Sequence, residues 1–228
     1  MSRLNPATLE RLMQVWRLVG QSHFPPFFFT LGESSRRSRV DDARLLKEAG
    51  IIEDALFTTT IGWITSFLVV DGKTTGLQRR WIAWPRNKNR DDPYEAHVPL
   101  LHISHYLPPV MAEAAFCLDL KASFFQVSLP RGTRHLFRCR VEDGTLVELT
   151  RLPMGYKASP EILRIIITLA IAGVTTVVRP LWATPPLVRV DVWIDNINIT
   201  GSKSDVTLWE AQVLRNADGC HATVREDR

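Results

Sequence analysis

The sequence predicts an α+β fold in which an antiparallel sheet packs on helices. Runs of β-favouring residues come in pairs joined by short turns that contain glycine, which is the pattern of hairpins. Helical patterns lie between these pairs, and 45% of the 228 residues are hydrophobic. A chain of this length and composition can bury the core of one large domain or of two small ones.

The N-terminal part is predicted to be helical. Residues 7–20 carry apolar side chains near helical spacing, and a polar loop is expected over residues 32–40. Asp41 and Asp42 begin a second helix, because acidic side chains suit its positive end, and Gly50 ends it.

Three hairpins and three helical segments are predicted in the rest of the chain. The hairpins pair 62–70 with 77–85, 136–141 with 145–149, and 187–194 with 197–200, the last with Asp195 and Asn196 at its tip. The helical segments are the end of 97–115, 160–178 and 209–215, and a last strand is expected to begin at 219–221.

The charge of the chain favours a polyanionic partner, although a net charge of +4 is a modest excess. Arginines and a lysine cluster beside two tryptophans, a combination that suits a phosphate backbone and unstacked bases. The cluster comprises Arg79, Arg80, Arg86, Lys88 and Arg90, with Trp81 and Trp84. A solvated basic strand is the alternative interpretation of the same residues.

The cysteine pattern indicates a reducing, intracellular compartment. Cys117, Cys139 and Cys220 are odd in number and form no CxxC pair, which argues against a disulfide framework and a structural zinc site. The longest uncharged run, residues 165–178, is shorter than the roughly twenty residues that span a bilayer, so no membrane partner is expected.

Two aspartates stand at the ends of apolar, β-favouring runs. Asp119 follows residues 116–118, and Asp195 follows 192–194. Two carboxylates that converge at one edge of a sheet can hold a pair of divalent cations, the arrangement that in-line displacement on a nucleoside triphosphate requires.

Three segments, in this order, resemble motifs A, B and C of the reverse transcriptases: residues 116–120, 152–160 and 193–196. The resemblance implies a right-hand polymerase with fingers and palm, acting as an RNA-directed DNA polymerase of a retrotransposon or retrovirus-like element. It also implies two Mg²⁺ ions, with Mn²⁺ as an alternative, a dNTP, and an RNA or DNA template with its primer.

In motif A the resemblance makes Asp119 a metal ligand and places Phe124, five positions later, under the sugar of the incoming nucleotide. A bulky ring there would exclude a 2′-hydroxyl, which counts against an RNA-dependent RNA polymerase. A Phe that simply fills a core is the alternative.

In motif B the resemblance assigns Met154 and Gly155 to the nucleotide, and four further residues to template and primer: Tyr156, Lys157, Ser159 and Pro160. Gly155 would permit close backbone approach, and Ser159 with Pro160 would cap and open the next helix. Met154 stands where retroviral enzymes often carry glutamine.

Motif C departs from the family pattern of two consecutive aspartates. Asp195 matches the metal-binding aspartate, whereas Asn196 replaces the second one. Asn196 keeps the shape and suits a two-residue turn with positive φ, but it lacks the charge, so weaker metal binding is expected. Asp191 is expected to lie too far back along the strand to compensate.

The basic strand resembles the fingers segment of the same family. Arg80, Arg86 and Asn89 fit its spacing, and Lys73 lies seven residues before Arg80, as does the family's triphosphate lysine. By this resemblance Lys73 and Arg80 neutralise the triphosphate, and Arg86 and Asn89 contact the template or primer.

The resemblance covers roughly residues 41–226 and suggests three parts: an N-terminal helix and loop (1–40), a fingers-like region (41–115) and a palm (116–228). A thumb and an RNase H domain are expected to be absent, so a partner chain or a downstream domain would supply the thumb. The motif arrangement is closer to tyrosine-recombinase retrotransposons than to retroviruses. Two alternatives stay open: an impaired remnant that binds nucleic acid without copying it, and an unrelated α+β domain.

Overall fold

The computed structural model of the chain describes residues 6–20, 39–56, 64–71, 79–92, 112–173 and 188–225. The chain divides into two compact units, each assembled from separate stretches of sequence. Unit 1 comprises Met1–Leu12, His97–Ser123 and Pro160–Arg228, and unit 2 comprises Met13–Ala96 and Phe124–Ser159. The three-part division expected from the sequence stays a prediction.

The secondary structure mixes helices with antiparallel strands. The helices are α1 Pro6–Gly20, α2 Val40–Glu48, α3 Arg86–Asp91, α4 Ser123–Gln126, α5 Arg131–Arg134, α6 Ser159–Ile166 and α7 Lys203–Gly219, and a π-helical segment, Ile167–Ile171, continues α6. The strands are β1 Ile52–Asp54, β2 Ser66–Asp71, β3 Arg79–Trp84, β4 Ala114–Leu120, β5 Arg138–Arg140, β6 Leu146–Leu149, β7 Val188–Trp193, β8 Asn196–Gly201 and β9 Val224–Arg225.

Unit 1 is built around a four-stranded sheet in the order β7-β8-β4-β9, with every neighbouring pair antiparallel. Leu118, Ile197 and Ile199 are buried, and α7 packs on β4, β8 and the π-helical segment. The hydroxyl of Ser202 caps α7 by accepting a bond from the Asp205 N–H at 3.2 Å. This side of the sheet is therefore the core of unit 1.

Unit 2 contains a three-stranded sheet in the order β1-β6-β5 and the two-stranded sheet β2-β3. Gly144 turns the β5–β6 hairpin at φ +91, a conformation that favours glycine. Phe137, Leu149 and Leu152 are fully buried and form the centre of this unit.

The structure confirms the two N-terminal helices and the pairing of all three hairpins. The helix expected at the end of 97–115 is wrong for its last residues, because Ala114 and Ala115 pair with Gly201 and Thr200 in the sheet. This pairing overrides the helical preference of alanine.

Two further boundaries differ from the prediction. The helix expected over 209–215 extends from Lys203 to Gly219, because Ser202 provides a cap well before the apolar pattern begins. The last strand begins at Val224 and not at 219–221, since Gly219 ends α7 and His221 turns the chain at φ +55.

Several predicted features lie outside the described residues: the loop over 32–38, the loop that carries Lys73, and the expected helix beyond 173. Within the ranges that are described, no helix has both the length and the apolar character needed to cross a membrane.

Candidate active site

One face of the unit 1 sheet packs in the core, and the opposite face carries polar side chains in rows across the strands. Asp119 pairs with Asn196, which pairs with Trp193, and residues that pair directly in a sheet point to the same face. The next row on this face consists of Cys117, Asn198 and Asp191. Two predicted catalytic residues, Asp119 and Asn196, are therefore direct neighbours.

Asp195 lies in the turn that joins β7 to β8. Because Trp193 pairs with Asn196, the two turn residues are Ile194 and Asp195. The prediction that Asp195 and Asn196 form the tip is wrong by one position, since Asn196 already belongs to the ladder. The positive φ expected at Asn196 is found at Ile194, at +53.

The backbone of this turn is strained. A positive φ at the first turn residue is the pattern of a type II′ turn, where glycine is usual. A β-branched residue in this region is a genuine outlier, and such a conformation costs about 1–3 kcal/mol. The surrounding sheet must hold Ile194, and with it Asp195, in place.

A backbone hydrogen bond fixes the turn to the end of β4. The N–H of Leu120 donates to the carbonyl oxygen of Asp195 at 3.3 Å. Hydrogen-bonded and non-hydrogen-bonded pairs alternate in an antiparallel ladder, so the neighbouring pair Asp119–Asn196 is a non-hydrogen-bonded one, where side chains are closest. The structure thus brings Asp119, Asp195 and Asn196 to one end of the sheet.

Ser123 is a site residue that the sequence interpretation missed. Its hydroxyl donates a hydrogen bond to Oδ2 of Asp195 at 3.1 Å, and the residue is only 4% exposed. The one signal in the sequence is its position four residues after Asp119.

The donor set at this end of the sheet suits a hard cation. Carboxylate and amide oxygens are the ligands of Mg²⁺, which is commonly held by one or two carboxylates together with substrate phosphates and water. Among the described residues, no group of three or more His, Cys, Asp or Glu could hold a metal. The two carboxylates and the one amide at this end of the sheet could contribute ligands of this kind.

Asp191 forms an ion pair with Arg189 at 2.7 Å and pairs with Asn198 in the ladder, one row back from Asn196. Its carboxylate is thus neutralised on its own strand.

In unit 2 the loop around Gly155 packs against β3. The Gly155 N–H donates to the carbonyl oxygen of Ala83 at 3.1 Å. A Cβ on Gly155 would overlap this oxygen and lie 3.2 Å from Cα of Trp84. The close backbone approach expected at Gly155 is therefore observed against the protein's own strand.

Asn89 joins α3 to the same loop. Its amide donates to the Gly155 carbonyl at 2.8 Å and accepts from the Lys157 N–H at 3.0 Å. Ser159 is the first residue of α6, and its hydroxyl donates to the carbonyl of Pro153 at 2.6 Å. The contacts of Asn89 and Ser159 with template or primer stay predictions, since both side chains here hold the loop.

A buried ion pair lies beside this loop. Lys88 and Asp92 are both fully buried, with Nζ 3.3 Å from Oδ2, and the Tyr156 hydroxyl donates to the same oxygen at 2.7 Å. The ammonium also lies 5.4 Å and 5.1 Å from the ring centroids of Phe137 and Tyr156. Burial lowers the pKa of Lys88 and raises that of Tyr156, while Asp92 opposes the lowering at Lys88.

Lys88 is thus not available as a surface cation, contrary to the basic cluster expected from the sequence. The Lys157 ammonium likewise bonds within the protein, to the carbonyl of Asp92. Trp84 and Met154 are exposed, at 49% and 37%, and the guanidinium of Arg86 lies 6.0 Å from the Trp84 ring centroid.

The remaining predicted residues are placed as follows. Phe124 is buried in α4, Pro160 is half-buried in α6, and Arg80 lies opposite Val70 in the β2–β3 pair. Lys73 lies outside the described residues. Their roles in nucleotide, template or primer binding stay predictions.

No protein-family model matches the chain, and no curated protein does. Among solved structures, the chain is similar to a foamy viral protease-reverse transcriptase determined in complex with double-stranded DNA. The TM-score is 0.61 at 18% identity, over 97% of this chain and 40% of the viral one. The chain therefore shares its fold with a reverse transcriptase and spans less than half the length of that protein.

Proposed function

We propose that the chain is the fingers and palm of a retroelement RNA-directed DNA polymerase, which transfers nucleotides from dNTPs to a primer 3′ end. The observation that carries the proposal is the placement of Asp119 and Asp195 at one end of the unit 1 sheet, linked by the Leu120–Asp195 hydrogen bond. The fold shared with a reverse transcriptase supports it.

Asp119 and Asp195 would hold Mg²⁺ or Mn²⁺. When bound, two such ions polarise the phosphoryl oxygens and stabilise the attacking and leaving oxygens. The protein's own part is to hold both carboxylates on a rigid sheet end, so that no reorganisation is needed when charge develops. A partner chain or a downstream domain would supply the thumb.

The remaining roles follow from the resemblance to the reverse transcriptases. Lys73 and Arg80 neutralise the triphosphate, Phe124 excludes a 2′-hydroxyl, and Met154 with Gly155 contacts the nucleotide. Template and primer contacts fall to the remaining residues of the loop and the fingers: Arg86, Asn89, Tyr156, Lys157, Ser159 and Pro160. Three residues also act indirectly, by fixing the loop. Gly155 bonds the loop to β3, Asn89 bonds it to α3, and Ser159 bonds within it.

Primer extension on an RNA template tests the proposal. We expect dNTP incorporation with Mg²⁺ or Mn²⁺, a stronger reaction from Asn196→Asp, and none from Asp119→Asn. The Asn198→Ala variant, one row away on the same sheet face, serves as the control for mutation of this face. If neither the natural chain nor Asn196→Asp incorporates nucleotides while both are folded, the catalytic proposal is wrong.

The amide at position 196 favours a second candidate, a remnant that binds nucleic acid without copying it. Such a protein would bind a duplex with an affinity that falls with salt and is unchanged in Asp119→Ala. Binding that requires both Mg²⁺ and the matched dNTP would contradict this candidate.

A further inference from the structure

The junction between β4 and α4 places the Ser123 hydroxyl within hydrogen-bond distance of the Asp195 carboxylate. β4 ends at Leu120, and Ala122 turns the chain at φ +48 before Ser123 begins α4. A non-glycine residue in this region is uncommon and costs energy. Ser123, which follows this strained residue, is buried.

The turn that carries Asp195 is strained in the same way. Ile194 precedes it at φ +53, so two non-glycine residues with positive φ flank one hydrogen bond, from Ser123 Oγ to Asp195 Oδ2 at 3.1 Å. Such strain persists only where the surrounding structure determines it, and it concentrates at functional sites.

The bond has a chemical consequence for the carboxylate. The Asp195 carboxylate is half-buried. A carboxylate oxygen that accepts a hydrogen bond is restricted in direction, and part of its torsional freedom is lost before any ligand arrives. Oδ1 of Asp195 accepts no hydrogen bond from any residue in the described ranges. One oxygen is thus used to orient the group, and the other stays available as a ligand.

We propose that Ser123 is a positioning residue that orients the Asp195 carboxylate for cation binding. The proposal rests on the proposed function. In a site that has an amide at position 196, the group that orients Asp195 is the neutral hydroxyl of Ser123. A serine that merely ties the turn to α4 is the competing explanation, and the two differ in their effect on cation affinity.

The test measures Mn²⁺ binding to the full chain by calorimetry and by electron paramagnetic resonance, without substrate. We expect Ser123→Ala to weaken Mn²⁺ binding about tenfold, the lower end of the range for partners that orient metal ligands. Ser123→Cys, which keeps the volume but donates weakly, should behave in the same way, and Ser123→Thr should retain the affinity. Ser204→Ala, on the exposed start of α7, is the matched control and should change nothing.

The outcomes separate the two proposals. Unchanged or tighter Mn²⁺ binding in folded Ser123→Ala and Ser123→Cys, together with loss of binding in Asp195→Asn, would overturn the role of Ser123 and leave the proposed function intact. If the natural chain and Asn196→Asp both fail to bind Mn²⁺, the metal site and the role of Ser123 are overturned together.

Discussion

At position 196 an amide stands directly across the sheet from a carboxylate. Asp119 and Asn196 form a close, non-hydrogen-bonded pair, so an aspartate at 196 would place two like charges opposite each other. The asparagine therefore removes a repulsion in the metal-free protein and also removes a ligand charge.

The loss of repulsion and the loss of ligand charge together predict that the stability of Asn196→Asp depends on the cation. In EDTA the variant should lose about 0.5–1 kcal/mol, or roughly 1–4 °C in melting temperature for a chain of this size. Millimolar Mg²⁺ should restore the loss and raise the melting temperature of the variant more than that of the natural chain. Thermal unfolding with and without Mg²⁺ measures both.

Asp119→Asn in the Asn196→Asp background is the control, since it removes the repulsion and should abolish the Mg²⁺ response. A variant that is equally stable in EDTA and Mg²⁺ would show that the two side chains do not share a cation.

Phe124 is buried, at 8% exposure, so both interpretations of this ring stay open. If it lies under the nucleotide sugar, Phe124→Ala should raise kcat/KM for ribonucleotides relative to deoxynucleotides, because the clash with the 2′-hydroxyl is removed. Steady-state incorporation of matched rNTP and dNTP gives this ratio.

Phe125→Ala, at the adjacent and half-buried position of α4, is the matched control and should leave the ratio unchanged. An unchanged ratio in Phe124→Ala, with a loss of about 3–5 kcal/mol in stability, would make Phe124 a core residue.

Among the elements, the 152–158 loop depends on the absence of a side chain at Gly155. A methyl group there would overlap the Ala83 carbonyl, which belongs to a strand and cannot move cheaply. We expect Gly155→Ala to cost about 1–3 kcal/mol and to release the Gly155 amide for hydrogen exchange.

Gly132→Ala is the matched control, because a Cβ at Gly132 meets no atom within 4 Å and should leave stability nearly unchanged. Equal stabilities of the two variants would mean that the loop does not pack on β3 in solution.

The same loop depends on the charge of Lys88. Lys88→Met should cost about 3–5 kcal/mol, since it leaves the buried Asp92 carboxylate without its ammonium partner. Adding Asp92→Asn should recover part of this loss, because the amide oxygen can still accept the Tyr156 hydroxyl. Urea unfolding of the four proteins forms a double-mutant cycle, and strictly additive losses would contradict a coupled pair.

Sequence patterns predict the elements well where the signal is local. The β5–β6 hairpin follows from Gly144 between two alternating runs, and the start of α2 from its two aspartates. The burial of Lys88 could not be predicted, because Phe137 and Tyr156, which lie far from it in sequence, approach it only in the folded unit. The position of the tight turn was missed by one residue, since turn rules favour asparagine and not isoleucine at positive φ.

On the scale of the whole molecule, the three cysteines differ in accessibility. Cys117 and Cys220 are exposed, whereas Cys139 is buried in β5 and its burial raises its pKa from about 9 to about 12. At pH 8 we expect a maleimide to modify Cys117 and Cys220 rapidly in the folded chain, because the Cys139 thiolate is almost unpopulated.

Mass spectrometry after timed labelling measures the sites, and Cys139 should react only when unit 2 opens in urea. Fast labelling of Cys139 in the folded protein would contradict its burial. Labelling at Cys139 that begins below the urea concentration at which the unit 1 sheet unfolds would show that the units open separately.

The discontinuous units also set the order in which a growing chain can complete its structure. Unit 2 has all of its residues once Ser159 is made, whereas β4 must wait for β8 and β9 near the other end of the sequence. Asp119 and Asp195 are 76 positions apart (195 − 119), which corresponds to about 4–15 s of translation at roughly 5–20 residues per second. During this interval both edges of β4 are unpaired and its apolar side is uncovered, a state that promotes aggregation. A ribosome pause between β4 and β8 would therefore decide how much of the newly made protein reaches its folded form.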